Sequence, residues 1–145
     1  MSVQKTNKDR KPGLPLPRRG NEGEALQIRF HNSTAEVSRM TTEELRSNFL
    51  IESVMQADEL KLVYTHYDRM IIGGVMPVNK TIALPTYAPL KSKFFLERRE
   101  IGIINVGGDG EIKVNGKAFD LRKLDSLYVG KGSEKVSFKS KKKDN

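Results

Sequence analysis

The chain has 145 residues, 37% of them hydrophobic, which suits one domain with a modest core. It holds no cysteine, which excludes disulfides and thiolate zinc sites, and no apolar run near the roughly 20 residues of a membrane helix. The net charge of +8 sits mostly at the ends, net +3 in residues 1–24 and again +3 in 139–145, whereas a nucleic-acid-binding domain gathers charge on the folded face that meets phosphate.

Residues 1–24 carry Pro12, Pro15, Pro17, Gly13, Gly20 and Gly23 among charges and read as a disordered basic tail. Arg18-Arg19 precede no apolar segment, so no secretory signal is expected and the cytoplasm is the default compartment. Residues 25–59 read as a short strand and a helical segment. Leu26 to Phe30 alternate in polarity. Asn32-Ser33-Thr34 can cap a short helix from Ala35 to Met40. Thr41 and Glu44 have the spacing of a capping box, and Leu45, Phe49 and Leu50 then share one face of a two-turn helix.

From Leu60 the period changes to two. Leu60, Leu62 and Tyr64 alternate with Lys61 and Val63, and residues 64–69 continue or turn that strand. Met70 to Pro77 is apolar with Gly73-Gly74 inside it, a mark of a bulge or a close backbone approach. Thr81 to Leu84 is a further short strand, and Pro85 to Pro89 a loop. Phe94 to Glu100 reads as a strand sending Glu97 and Arg99 to one face and Arg98 and Glu100 to the other. The apolar run Ile101, Ile103, Ile104, Val106 ends at Gly107-Gly108-Asp109-Gly110. Ile112 and Val114 alternate with Glu111 and Lys113 up to Asn115-Gly116, the strongest short hairpin signal. Ala118 to Leu121, Leu127 to Val129 and Lys135 to Phe138 complete the set. About eight strands between residues 60 and 138, before the lysine-rich end 139–145, predict an all-β fold: a small antiparallel barrel or jelly roll.

The glycine frame Gly108-Asp109-Gly110, Asn115-Gly116, then Asp125 before Leu127-Tyr128-Val129-Gly130, resembles a cupin. A cupin metal site uses three histidines and a glutamate. This chain has only His31 and His66, in no ligand spacing. Longer motifs sharpen the resemblance: Asn48-Phe49-Leu50-Ile51-Glu52, Ala57-Asp58-Glu59, His66-Tyr67-Asp68-Arg69, Gly73-Gly74-Val75-Met76-Pro77, Phe95-Leu96-Glu97-Arg98-Arg99-Glu100, Asn105-Val106-Gly107-Gly108 and Leu127-Tyr128-Val129-Gly130-Lys131-Gly132. Over roughly residues 41–138 the chain resembles the amino-terminal half of the 5-keto-4-deoxyuronate isomerase (4-deoxy-L-threo-5-hexosulose-uronate ketol-isomerase) family of pectin breakdown. The resemblance implies a ketol-isomerase that interconverts 5-keto-4-deoxyuronate and a 3-deoxy-2,5-diketo-hexulosonate, contains zinc and forms a homohexamer. It also implies that the zinc ligands sit in a carboxyl-terminal cupin after Asn145, so none carries over to this chain. The expected function is then that of the metal-free, structural half; the alternative is a stand-alone sugar-acid-binding cupin module.

The candidate catalytic residues are His66, Glu97, Arg98 and Glu100. The candidate substrate-binding residues are Arg69, Arg99 and Lys131. An arginine can grip a sugar-acid carboxylate in bidentate fashion; the competing reading, favoured for Glu97 to Glu100 and for Asp68-Arg69, is an ion-pair network at a domain or subunit interface. His66, between Tyr64 and Tyr67, has the chemistry of a general base, yet a lone histidine is more often structural. Gly107 to Gly110 lead into a strand and not a helix, so they form a turn and not a phosphate loop. A cupin half with its partner face uncovered is expected to self-associate.

Overall fold

A computed structural model describes residues 26–141. The tail read in residues 1–24 and the last four residues lie outside the described residues. Nine strands run in chain order: β1 Gln27–Arg29, β2 Leu60–Thr65, β3 Met70–Val75, β4 Ile82–Ala83, β5 Ile101–Ile104, β6 Gly110–Val114, β7 Lys117–Leu121, β8 Ser126–Val129 and β9 Val136–Ser140. Two short helices, α1 Thr34–Val37 and α2 Thr42–Phe49, precede β2, and a 3-10 turn spans Ala88–Leu90. The fold is all-β. Among the described residues, eight of the nine strands begin at or after Leu60. No helix among the described residues is long and apolar enough to cross a membrane.

The strands form three ladders: β1-β2-β3, β4-β9-β6-β7 and β5-β8. Every pairing between named strands is antiparallel except β1 with β2. The helical segment is therefore bracketed by two neighbours in one sheet. One core joins all three ladders. Ile112, Leu121, Val136 and Phe138 enter it from the four-stranded sheet and Val129 from β8, with Leu26, Leu90, Phe95 and Leu96 completing it. Leu62, Tyr64, Ile71 and Val75 pack against it from β2 and β3.

Local chemistry explains most of the boundaries. Thr41 accepts the Glu44 amide at 3.2 Å while the Glu44 carboxylate accepts the Thr41 amide at 2.7 Å, so the capping box forms as spaced. Ser33 and Glu36 make a second box, and α1 stops at Val37, short of the Met40 expected. At the β6–β7 hairpin both Asn115 (φ 49°) and Gly116 (φ 88°) take the positive φ that a type I′ turn requires. Gly73 and Gly74 are close approaches. A Cβ on Gly73 would lie 2.2 Å from the Lys61 carbonyl oxygen, and one on Gly74 would lie 2.6 Å from that of Val54.

A bulge was not legible in the sequence. Asp58 and Glu59 both face Met76: the Asp58 amide donates to the Met76 carbonyl at 2.8 Å, and the Met76 amide donates to Glu59 at 3.3 Å. Asp58 holds the left-handed conformation (φ 59°) that this bulge ordinarily gives to glycine. Its carboxylate holds it there by accepting the backbone amides of Val78, Asn79 and Lys80.

The strand expected from Phe94 to Glu100 does not form. Residues 94–98 turn instead, with the Glu97 amide donating to the Phe94 carbonyl at 3.2 Å. A half-buried strand buries alternate residues, but here the neighbours Phe95 and Leu96 are both buried, Leu96 completely. The side chains of Glu97, Arg98 and Arg99 bond to nearby backbone, which replaces a ladder. The two-face division of Glu97 to Glu100 is corrected accordingly.

Candidate functional site

The turn that replaces the expected strand forms one wall of a cleft of about 350 Å³, lined by Thr86, Tyr87, Ala88, Lys91, Ser92, Lys93, Glu97 and Arg98. Pro85 and Pro89 restrict the approach, and the 3-10 turn ends on Lys91, whose φ of 49° reverses the chain. The Glu97 carboxylate accepts the Lys93 amide at 2.8 Å. The Arg98 guanidinium donates to the Lys91 carbonyl at 3.0 Å. Thr86 and Ser92 hydroxyls meet at 3.1 Å across the loop. Three cations against one carboxylate give the lining a net positive charge. It can receive a carboxylate, with Arg98 fixed by its backbone bond and the lysines acting as mobile point charges. It has no histidine among its lining residues.

The structure brings Glu97 and Arg98 to this cleft and places the other sequence candidates elsewhere. Glu100 accepts the Tyr128 hydroxyl at 2.6 Å, and this bond pushes the Tyr128 phenol above its ordinary pKa. The Arg99 guanidinium lies 5.5 Å from the Phe95 ring centroid and reaches the Phe95 carbonyl at 3.5 Å. Lys131 is exposed in the turn after β8, where the next amide, of Gly132, donates to the Leu96 carbonyl at 2.7 Å. Arg69 is exposed at the β2–β3 hairpin with φ 52°.

His66 begins that hairpin turn. Its ring stacks on Phe30 at 4.8 Å and meets the edge of Tyr64 at 5.0 Å, and its amide donates to the Arg29 carbonyl at 2.9 Å. These contacts give it a packing role. The same corner holds groups that sequence reasoning missed. Arg29 donates to the Ser47 carbonyl and, at 2.9 Å, to that of Leu50, so a cation closes the carboxyl end of α2. Asn32 donates to the Tyr67 hydroxyl at 3.0 Å, and Tyr67 packs on Phe49 at 5.3 Å. The alternation of Arg29 with Ile28 and Phe30 was visible; its carbonyl partners, 18 and 21 residues away, were not.

The most perturbed acid is Asp58. Its carboxylate accepts the backbone amides of Val78 (2.9 Å), Asn79 (2.7 Å) and Lys80 (3.4 Å) and the Asn79 side-chain amide (2.7 Å). Led by the Asn79 amide, these donors hold it at about 2. It anchors the loop of residues 78–80. Among the described residues no group of three His, Cys, Asp or Glu side chains could hold a metal. The residues present do not fit the zinc that the family resemblance implies.

No family model matches the chain. It is 48% identical over 114 residues to a 4-deoxy-L-threo-5-hexosulose-uronate ketol-isomerase of Formosa agariphila, covering 79% of this chain and 41% of that protein. Proteins of the same name match at 45% over 115 residues in Lachnospira eligens and 44% over 120 residues in Halalkalibacterium halodurans. The chain is a homologue of these ketol-isomerases. It spans 41–44% of the length of the ketol-isomerases it matches.

Proposed function

We propose that this chain is a structural, metal-free β-domain of a ketol-isomerase, of cupin type, and that it serves assembly more than chemistry. The observation that carries this reading is the 44–48% identity to proteins named for ketol isomerisation, combined with the way its charged residues are used. Glu97, Arg98, Arg99 and Glu100 are each bonded to local backbone or to Tyr128, and they do not converge on a point where a sugar carbon could sit. A ketol-isomerase must move a proton between adjacent carbons while stabilising an enediolate. The described residues offer a cationic cleft but no paired acid and base. The reaction would then draw on polypeptide that these residues do not include, and the cytoplasm is the compartment proposed for it.

The test is incubation of the chain with 5-keto-4-deoxyuronate, with and without added zinc. No interconversion is expected. Turnover by this chain alone would overturn the reading. A second reading is favoured by the cleft itself: Lys91, Lys93 and Arg98 suit the carboxylate of a sugar acid. Calorimetry with galacturonate checks it. Binding that Arg98→Ala weakens by about tenfold, the worth of one charge-assisted contact, supports the module; the absence of heat sinks it. Exposed Ile104, Val106 and Tyr128 support self-association. A monomer in sedimentation at high concentration would refute that.

A further inference from the structure

Strand order in the two ladders that face the core follows one rule. The antiparallel pairs nest: β6 with β7 innermost, then β5 with β8, then β4 with β9. The next outward pair would join β3 to a strand that follows β9. The four-stranded sheet reads β4-β9-β6-β7. Moving each member one step outward along the nest gives β3, the strand after β9, β5 and β8. Three of those four are present, and β5-β8 is already formed. This is the long rolled hairpin of a jelly roll.

The edges that such a strand would join are unpaired among the described residues. β3 ladders only with β2, and β5 only with β8. Their free backbone groups can be assigned. The Asn105 amide donates to the Asp125 carbonyl at 2.9 Å, so residues 105, 103 and 101 are the hydrogen-bonded partners of β8. The N–H and C=O groups of Gly102 and Ile104 therefore point to the other edge. By the same alternation the Met76–Glu59 bond turns Ile71, Gly73 and Val75 away from β2. Isolated proteins protect such edges with lysine and other charged residues or with proline. β3 (Met-Ile-Ile-Gly-Gly-Val) and β5 (Ile-Gly-Ile-Ile) carry none, whereas the outer strand β7 carries Lys117 and Asp120. Met70 is 54% exposed, Ile72 41% and Ile104 65%.

We infer that β3 and β5 together receive one further strand, antiparallel to both, and that its occupant is the stretch that follows β9 in the longer ketol-isomerases. The unfinished sheet stands on topology alone; the choice of occupant rests on the kinship. The relatives are nearly twice as long as this chain, since the matched 114–120 residues make up only 41–44% of them. The occupant is an extended segment of about five or six residues, apolar on its core-facing alternate positions.

Synthetic peptides of about twelve residues, long enough for one strand, are tiled across the segment that follows the matched stretch in the Formosa agariphila protein. Hydrogen exchange is followed in residues 70–75, 101–104 and 117–121. One tile is expected to slow exchange in both β3 and β5 by about tenfold or more and to leave β7 unchanged. Gly102→Pro removes one outward donor at a position where an added Cβ meets nothing within 4 Å; it should abolish the effect while Gly102→Ala keeps it. An active tile N-methylated on alternate amides should also fail, a check that needs no protein variant. The proposal is overturned if no tile protects, if only one of the two strands is protected, or if the methylated tile works as well. Protection of both strands that rises with protein concentration, without peptide, would name a second copy as the occupant and overturn the choice made here. Turnover is not a readout, so loss of the structural-domain reading would leave the unfinished sheet standing.

Discussion

Leu96 is the most completely buried side chain described, with 0% exposure, and it sits in the turn where a strand was expected. Leu96→Ala removes three carbons. At about 0.8 kcal/mol per buried methylene their transfer to water costs roughly 2.4 kcal/mol. If the surroundings do not relax, a cavity of roughly 80 Å³ at about 24 cal/mol per Å³ adds about 2 kcal/mol. The expected loss lies between about 2.4 and about 4.4 kcal/mol, or roughly 10–18 °C in Tm at about 4 °C per kcal/mol for a domain of this size. The chain has no tryptophan, so urea unfolding is followed by far-UV circular dichroism. The midpoint should fall with the slope unchanged. Ile104→Ala, at a side chain 65% exposed, is the control and should cost under about 0.5 kcal/mol. If Leu96→Ala costs less than about 1 kcal/mol, or no more than the control, the turn does not close the core as described.

Asp58 predicts an acid-sensitive loop. Its folded pKa, about 2, lies below the ordinary 3.8, so its contribution is complete above that ordinary value and is lost as pH falls toward and through 2. Asp58→Asn should flatten the stability–pH curve across that window; an unchanged curve would show that the amides of residues 78–80 are not its partners. Gly74→Ala would drive a Cβ against the Val54 carbonyl oxygen at 2.6 Å and is expected to cost about 1–3 kcal/mol in thermal unfolding; a neutral result would mean that the segment before β2 does not lie on β3. Leu124 is 73% exposed with φ 70° at the third position of a turn closed by the Asp125 amide on the Arg122 carbonyl. Leu124→Asn, which tolerates that conformation better, should raise Tm slightly, and a lowered Tm would argue that the leucine side chain is needed there.

What could be read from residues alone was short-range. The capping box at Thr41 and Glu44, the Asn115-Gly116 hairpin, the glycine pair in β3 and the period-2 runs each depend on neighbours within a few positions, and each appears where expected. The resemblance to the ketol-isomerases was legible for the same reason, since ordered motifs survive in the linear string. The charged run Glu97 to Glu100 misled because Glu97, Arg98 and Arg99 bond to nearby backbone and Glu100 to the distant Tyr128 hydroxyl, and no alternation rule anticipates that. Only the folded chain decided which strands pair, that Glu97 and Arg98 face a cleft while Glu100 holds Tyr128, and that β3 and β5 keep one edge each unpaired among the described residues. Pairing partners such as Gly110 and Ser140 are thirty residues apart, and their meeting is settled by burial of a shared core, not by any local preference.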